Sequence, residues 1–261
     1  MNTDVEWEKL GKTDPYFGVI THEKFRSQNF NDDAKKEFFD SGKGHVDHVL
    51  AICRRHLDQG FSPKTVLDLG CGTGRLVIPF AQMAEEVVGL DVSESMLNEA
   101  SKNCIENSVT NVRLMRSDDN LSCLHERFDF IHSYIVFQHI PVARGKVIFS
   151  KLLNHLDEGG IGAVHFLYSK AIYAEWGGVP QVESSSIRKS LRSAKRFLKS
   201  LFFKTLARQD PEIQMNPYNL NKLFFIMQSE GISNFHAEFT DHGGEFGLIL
   251  YFQKPKRKTP H

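Results

Sequence analysis

The sequence is short of long apolar runs, of paired cysteines and of surplus charge, and each shortage removes a class of protein. No uninterrupted apolar stretch in the 261 residues approaches the roughly 20 that a membrane-crossing helix needs. Its four cysteines, Cys53, Cys71, Cys104 and Cys123, are scattered, with no CxxC pair and no histidines at zinc spacing. A disulfide scaffold and a structural zinc site are therefore not expected, and the cysteines read as free thiols in a reducing compartment. The first residues, MNTDVEWEKL, are polar and acidic where a secretory leader is basic and then apolar, so the expected location is cytoplasmic. Thirty-two basic residues against thirty-two acidic ones leave no global attraction to nucleic acid, so a polyanion would have to be met by a local patch.

Such a patch exists. Ile187 to Arg208 reads IRKSLRSAKRFLKSLFFKTLAR, with eight Lys and Arg and no acid, and Ile187, Leu191, Ala194, Leu198 and Leu201 share one helical face. Around it the chain is organised by alternation. Strand-like runs at Thr65–Leu69, Glu86–Asp91, Val112–Arg116, Phe128–Val136 and Ile161–Leu167 are interleaved with helical periodicity at Leu76–Ala84, from Ser93 or Ser95 to about Asn107, and at Val142–Leu156, with Gly159 and Gly160 as its stop. That pattern predicts an α/β fold with a mostly parallel sheet covered on both faces. The expected division is a helical N-terminal extension (1–64), a core (65–168), a basic helical insertion (169–216), a closing helix from Pro217 to about Glu230 with a hairpin of Ile232–Thr240 and Glu245–Phe252 (217–253), and a disordered tail (254–261).

The chemistry concentrates in Val66-Leu67-Asp68-Leu69-Gly70-Cys71-Gly72-Thr73-Gly74-Arg75. A strand ending in glycines lets the backbone turn sharply and lets a ligand approach with no Cβ in the way, while the next helix offers free N–H groups. Dinucleotide enzymes use a similar device, so the glycines alone do not choose between cofactors. Here an acid precedes the first glycine by two, the spacing is G-x-G-x-G, and Asp91 ends the next strand in Val87-Val88-Gly89-Leu90-Asp91-Val92-Ser93.

In these residues the chain resembles the class I S-adenosylmethionine-dependent methyltransferases, and its N-terminal segment, WEKLGKTDPYFGVITHEKFR, resembles the leader of the bacterial enzymes of small-molecule and glycan biosynthesis. The resemblance implies a Rossmann-like seven-stranded sheet, mostly parallel with an antiparallel C-terminal hairpin, and S-adenosylmethionine as cofactor. It places Asp68, Gly70, Cys71, Gly72 and Gly74 around the methionine and ribose, and Asp91, with Val92 and Met96 beyond it, at the ribose hydroxyls. Asp118, with Asp119 as the alternative, falls at the adenine, and Tyr134 belongs to the cofactor site within the run 128–141, which resembles the family's fourth strand and the methyl-facing loop after it. Methyl transfer is an in-line displacement, so the enzyme's task is to hold an acceptor atom opposite the sulfur. A hydroxyl acceptor gains from a nearby base, for which His139 is the candidate. Gln138, Tyr168 and His242 are the candidate acceptor-binding residues. His139 and Gln138 equally suit hydrogen bonds to the cofactor or a cap on the next helix, and His165 reads as a core residue. No acid pair suits a metal, and none is expected.

Asn216-Pro217-Tyr218 resembles part of the Asn-Pro-Pro-Tyr signature of DNA amino-methyltransferases, but it lacks the second proline and follows strand five instead of strand four. A proline opening a helix explains it better. The N-terminal segment resembles a leader that folds over the pocket, with Trp7, Tyr16, Phe17, Phe38 and Phe39 as shielding aromatics or as ordinary packing. The expected partner is a small-molecule or glycan acceptor, with methylation of a hydroxyl, including that of a phosphate-bearing or lipid-linked sugar. N-methylation, or RNA or protein methylation gripped by 187–208, are the alternatives, and the same block suits peripheral contact with an anionic membrane or a solvated face.

Overall fold

A computed structural model describes residues 3–176 and 213–256. Seven strands form one sheet in the order β3-β2-β1-β4-β5-β7-β6. They are β1 (Thr65–Leu69), β2 (Glu86–Asp91), β3 (Val112–Arg116), β4 (Phe128–Ser133), β5 (Leu156–Lys170), β6 (Asn234–Asp241) and β7 (Glu245–Gln253). The first five run parallel, and β7 lies between β5 and β6 antiparallel to both. This is the Rossmann-like sheet that the resemblance implies. The chain winds outward from β1 to β3 and then returns to the other side of β1 with β4. The strand order therefore reverses between β1 and β4, and the crevice at their C-terminal ends is where such a sheet takes a ligand.

Alternate residues of the strands feed two cores. Leu67, Leu69, Ile131, Val164, Phe166 and Leu250 point to the face covered by α6 (Val142–Asn154) and α7 (Leu220–Ser229). Val66, Phe130, Ala163, Ile249 and Tyr251 point to the other face, covered by α3 (Asp32–His56), α4 (Val77–Ala81) and α5 (Glu94–Glu106). The inner strands β1 and β2 are buried on both faces and accordingly read as near-continuous apolar runs, whereas the edge strand β3 is partly exposed. α3 starts at Asn31, whose side chain accepts the Ala34 N–H at 2.9 Å, and carries Arg54, Arg55 and His56 in its last turn, where they complement the helix dipole. Ahead of it, α1 (Thr3–Thr13) and α2 (Pro15–Val19) lie against α5. No helix of the described residues is long and apolar enough to cross a membrane.

Several boundaries differ from expectation for local reasons. β4 stops at Ser133, not Val136, because Ile135 takes a positive φ of 59° and Phe137–His139 form a 3-10 turn. The helix after it ends at Asn154, and Gly159 and Gly160 lie inside β5, Gly159 at φ 80°. The early β5 residues are held by backbone bonds between Gly159 and Gly160 and Lys254, so the glycines shape a strand instead of stopping a helix. α4 spans only Val77–Ala81 of the expected Leu76–Ala84. α7 begins at Leu220, with Asn219 capping it through the Lys222 N–H at 3.3 Å, so Pro217 lies ahead of the helix and not in its first turn. The block 187–208 and the tail from 257 lie outside the described residues.

Candidate active site

The Gly-rich turn leaves β1 at the reversal point. Gly70, Gly72 and Gly74 have φ of 76°, 53° and 86°, a region that costs a residue with a Cβ roughly 1–2 kcal/mol. At Gly70 a Cβ would run into the Val136 side chain, so the turn and the loop after β4 are in contact there. The Gly70 and Cys71 N–H groups both donate to the Leu90 carbonyl, at 2.7 and 2.9 Å, which ties the turn to β2. Asp91, at the end of β2, accepts the Gly72 N–H on Oδ2 and the Ser93 N–H on Oδ1, both at 2.9 Å. Burial raises its carboxyl to about 6 despite these backbone donors. Cys71 is buried and its thiol is held well above the usual range by burial, so its contribution to the site is its backbone.

The loop after β4 forms the opposite wall. Ile135 is β-branched, and its positive φ is a strained conformation that the surrounding structure must hold. His139 follows on the 3-10 turn. Its Nδ1 lies 2.9 Å from the Gln214 carbonyl, which can only accept, so Nδ1 carries the proton and Nε2 the lone pair. Burial lowers this ring to about 4. Trp7 of α1 meets it edge-on at 5.1 Å between ring centroids. Gln138 is 6% exposed and its Oε1 has no partner, a buried acceptor at the cavity wall.

Behind the turn lies a chain that sequence reasoning did not find. Asp68 Oδ1 is 2.8 Å from His132 Nδ1, and His132 Nε2 is 3.1 Å from His45 Nε2 on α3. His132 donates Nδ1–H to the carboxylate and accepts from His45, whose ring is lowered to about 2 by burial and by the nearby His132. His45 packs at 4.0 Å on Tyr134, which lines the cavity. Arg75 is 8% exposed and reaches Ser41 Oγ at 3.2 Å, so it ties the turn to α3. His165 is a core residue: fully buried, it meets Thr240 Oγ1 at 3.1 Å and is lowered to about 3 by burial.

The acids after β3 are engaged locally. Asp118 Oδ1 accepts the Asn120 and Ser122 N–H groups at 2.8 and 3.0 Å, which lowers its carboxyl. Asp119 forms a two-point pair with Arg144 of α6 at 2.8 and 2.6 Å, and the same guanidinium reaches Asp4 of α1 at 3.2 Å. Glu8, also on α1, accepts from Ser93 Oγ, Ser95 Oγ and the Ser95 N–H at the start of α5. Burial pushes Glu8 up, but these donors outweigh it and hold it at about 2.

Together these elements enclose a cavity of about 740 Å³. Of the candidate residues, Asp68, Gly70, Cys71, Gly72, Asp91, Val92, Met96, Asp118, Asp119, Tyr134, Gln138, His139 and His242 line it. Gly74 and Tyr168 do not. Gly74 faces Ala100 of α5, and Tyr168 sits where the β5–β7 register shifts, with its ring turned to Phe239 at 5.7 Å. Of the five expected shielding aromatics only Trp7 lines the cavity, while Tyr16 and Phe38 pack with Phe25 in a separate cluster. Among the described residues no group of His, Cys, Asp and Glu is arranged to hold a metal.

Residues 66–160 match the family described as methyltransferase domain. The ubiquinone biosynthesis O-methyltransferase of Hydrogenovibrio crunogenus is 27% identical over 117 residues, which covers 43% of this chain and 48% of that protein. The chain thus spans about half or less of the curated relatives it matches. Among solved structures, magnesium protoporphyrin IX methyltransferase from Synechocystis PCC 6803 with bound SAM aligns over 97% of this chain and 98% of its own, at 18% identity and a TM-score of 0.59. The N-methyltransferase NodS from Bradyrhizobium japonicum WM9, in complex with S-adenosyl-L-homocysteine, aligns over 98% and 100%, at 13% identity and a TM-score of 0.56.

Proposed function

We propose, on the premise of a methyltransferase domain at residues 66–160 built on the class I methyltransferase sheet, that this chain moves a methyl group from S-adenosylmethionine to a hydroxyl or amino group of a small molecule. The observation that carries the reading is the Asp91 carboxylate at the point of strand reversal. Its oxygens are aimed by the Gly72 and Ser93 N–H groups, beside a glycine turn whose backbone lines the cavity. A carboxylate so held suits a pair of sugar hydroxyls, and glycine backbone suits the close approach of the rest of the cofactor. Asp91, Gly70 and Gly72 would hold the cofactor's ribose and methionine portions, with Met96 and Val92 beside them. The cofactor supplies an electrophilic methyl group on a sulfonium.

The chain's own residues then have two tasks. Tyr134, Gln138 and His242 position the acceptor, and the unpartnered Gln138 Oε1 takes a hydrogen bond from its hydroxyl or amine. His139 receives the acceptor's proton on Nε2. The bond from Nδ1–H to Gln214 fixes the lone pair there, where the Gln138 amide at 3.3 Å must give way to the acceptor, and the lowered value keeps the ring neutral at pH 7 at the cost of basicity. Of the two arginines among the described wall residues, Arg144 is paired with Asp119 and Asp4, whereas Arg75 reaches Ser41 and leaves its buried Nε without a partner. We place the chain in the cytoplasm, in keeping with its four unpaired cysteines.

Incubation with methyl-labelled S-adenosylmethionine and a fractionated metabolite extract, read by mass spectrometry, tests the reading. Label on oxygen or nitrogen of a small molecule is the expected result. Label found only in added RNA or protein would overturn the acceptor class.

A further inference from the structure

We propose that Asn216-Pro217-Tyr218 is a positioning clamp for the His139 loop, a role that rests on the reading of His139 as proton acceptor. Three observations converge on the clamp. The Gln138 carbonyl accepts two hydrogen bonds from Asn216, one from its backbone N–H at 2.6 Å and one from Nδ2 at 3.1 Å. The Ile140 carbonyl accepts the Tyr218 hydroxyl at 2.9 Å. Two residues ahead of the motif, the Gln214 carbonyl receives His139 Nδ1–H. Residues 138, 139 and 140 are thus each held by one short strap from far along the chain.

The strap has its own anchor. Tyr218 is 2% exposed, and its N–H donates to the Leu167 carbonyl of β5 at 2.7 Å. Its ring packs on Phe137 and Phe166, at centroid distances of 6.2 and 5.3 Å. α6 makes room for the hydroxyl with Gly145, where a Cβ would overlap it. Pro217 fixes φ between the two gripping residues, which removes freedom that would otherwise blur their spacing. The held loop needs such support: Ile135 is strained, and a three-residue 3-10 turn has little hydrogen bonding of its own. Neither Asn216 nor Tyr218 lines the cavity, whereas Met215 and Ile213 do, so the motif acts on the acceptor site through Gln138 and His139. The sequence element set aside as a helix start is the fastening of the acceptor wall.

The test uses the full chain labelled with nitrogen-15 histidine, with the His139 signals identified by their loss in His139→Gln. In the wild type, the His139 nitrogens should report one tautomer, protonated at Nδ1. In Asn216→Ala and in Tyr218→Phe, which removes a single oxygen, they should move towards the averaged values of a free imidazole. S-adenosylmethionine affinity should stay within about twofold, and kcat should fall by up to about 100-fold, the scale of a misplacement of about 1 Å. Unmoved His139 nitrogens in Tyr218→Phe, with the chain folded by circular dichroism, would overturn the clamp. Full turnover in His139→Gln would remove the proton-acceptor reading alone, because the ring signals report the clamp without any turnover.

Discussion

At Gly70–Gly72 the wall of the cavity is backbone, and at 134–140 it is side chains on a loop gripped from elsewhere. The first wall takes the hydrogen bonds that shape its turn from within one β-α-β unit. Two N–H groups reach the Leu90 carbonyl and two more aim Asp91. The second wall takes its hydrogen bonds from Gln214, Asn216 and Tyr218, some 75 residues along the chain. Local construction suits a ligand that is always the same. A wall assembled from distant segments can be reshaped without disturbing the first, which is where differences of acceptor are expected to be written.

The largest disruption expected is Gly70→Ala. It combines a positive φ with a clash against Val136 of the opposite wall. A loss of about 2–5 kcal/mol is expected from strain plus overpacking, read by denaturant unfolding. Asp91→Asn acts on the first wall alone. It keeps the shape but loses the charged acceptor, so S-adenosylmethionine affinity should drop roughly 10- to 100-fold by calorimetry, with the fold unchanged.

The same carboxyl sets a pH dependence. Its value is raised to about 6, so the acceptor-only form is full above that pH and is lost below it. Cofactor affinity should fall about tenfold between pH 7 and pH 5. His139, lowered to about 4, stays neutral across this window, so the second wall should not titrate with the first.

The smallest effect concerns the helix that spans both walls. Glu8→Gln should lower stability by about 1 kcal/mol at pH 7, or about 3 °C in Tm, a modest figure because the side chain is 29% exposed. Its folded value is depressed to about 2, so the contribution is present above the unfolded value of 4.5 and is lost as pH falls below it. The difference between the two proteins should therefore shrink on acidification.

This contrast also marks what was legible in the sequence. The strands, the glycine turn and Asp91 could be read because every requirement lies within about two dozen residues. Asp68 could be picked out, but its partner could not: His132 is 64 positions away and looks like any residue of an apolar strand. Arg144 gave no signal, since its two acids lie 25 and 140 positions off. Asn216-Pro217-Tyr218 reads in the sequence as a helix start because a proline there explains itself locally, whereas Asn219 is the residue that caps the helix. Tyr168 was placed by strand-end logic, which does not foresee the register shift beside it.

The most direct measurement is a calorimetric titration of the full chain at pH 7 with S-adenosylmethionine, S-adenosylhomocysteine and NAD in turn. Saturable binding of both S-adenosyl ligands, with no heat from NAD, is the expected result. Binding of NAD without either S-adenosyl ligand would contradict the account.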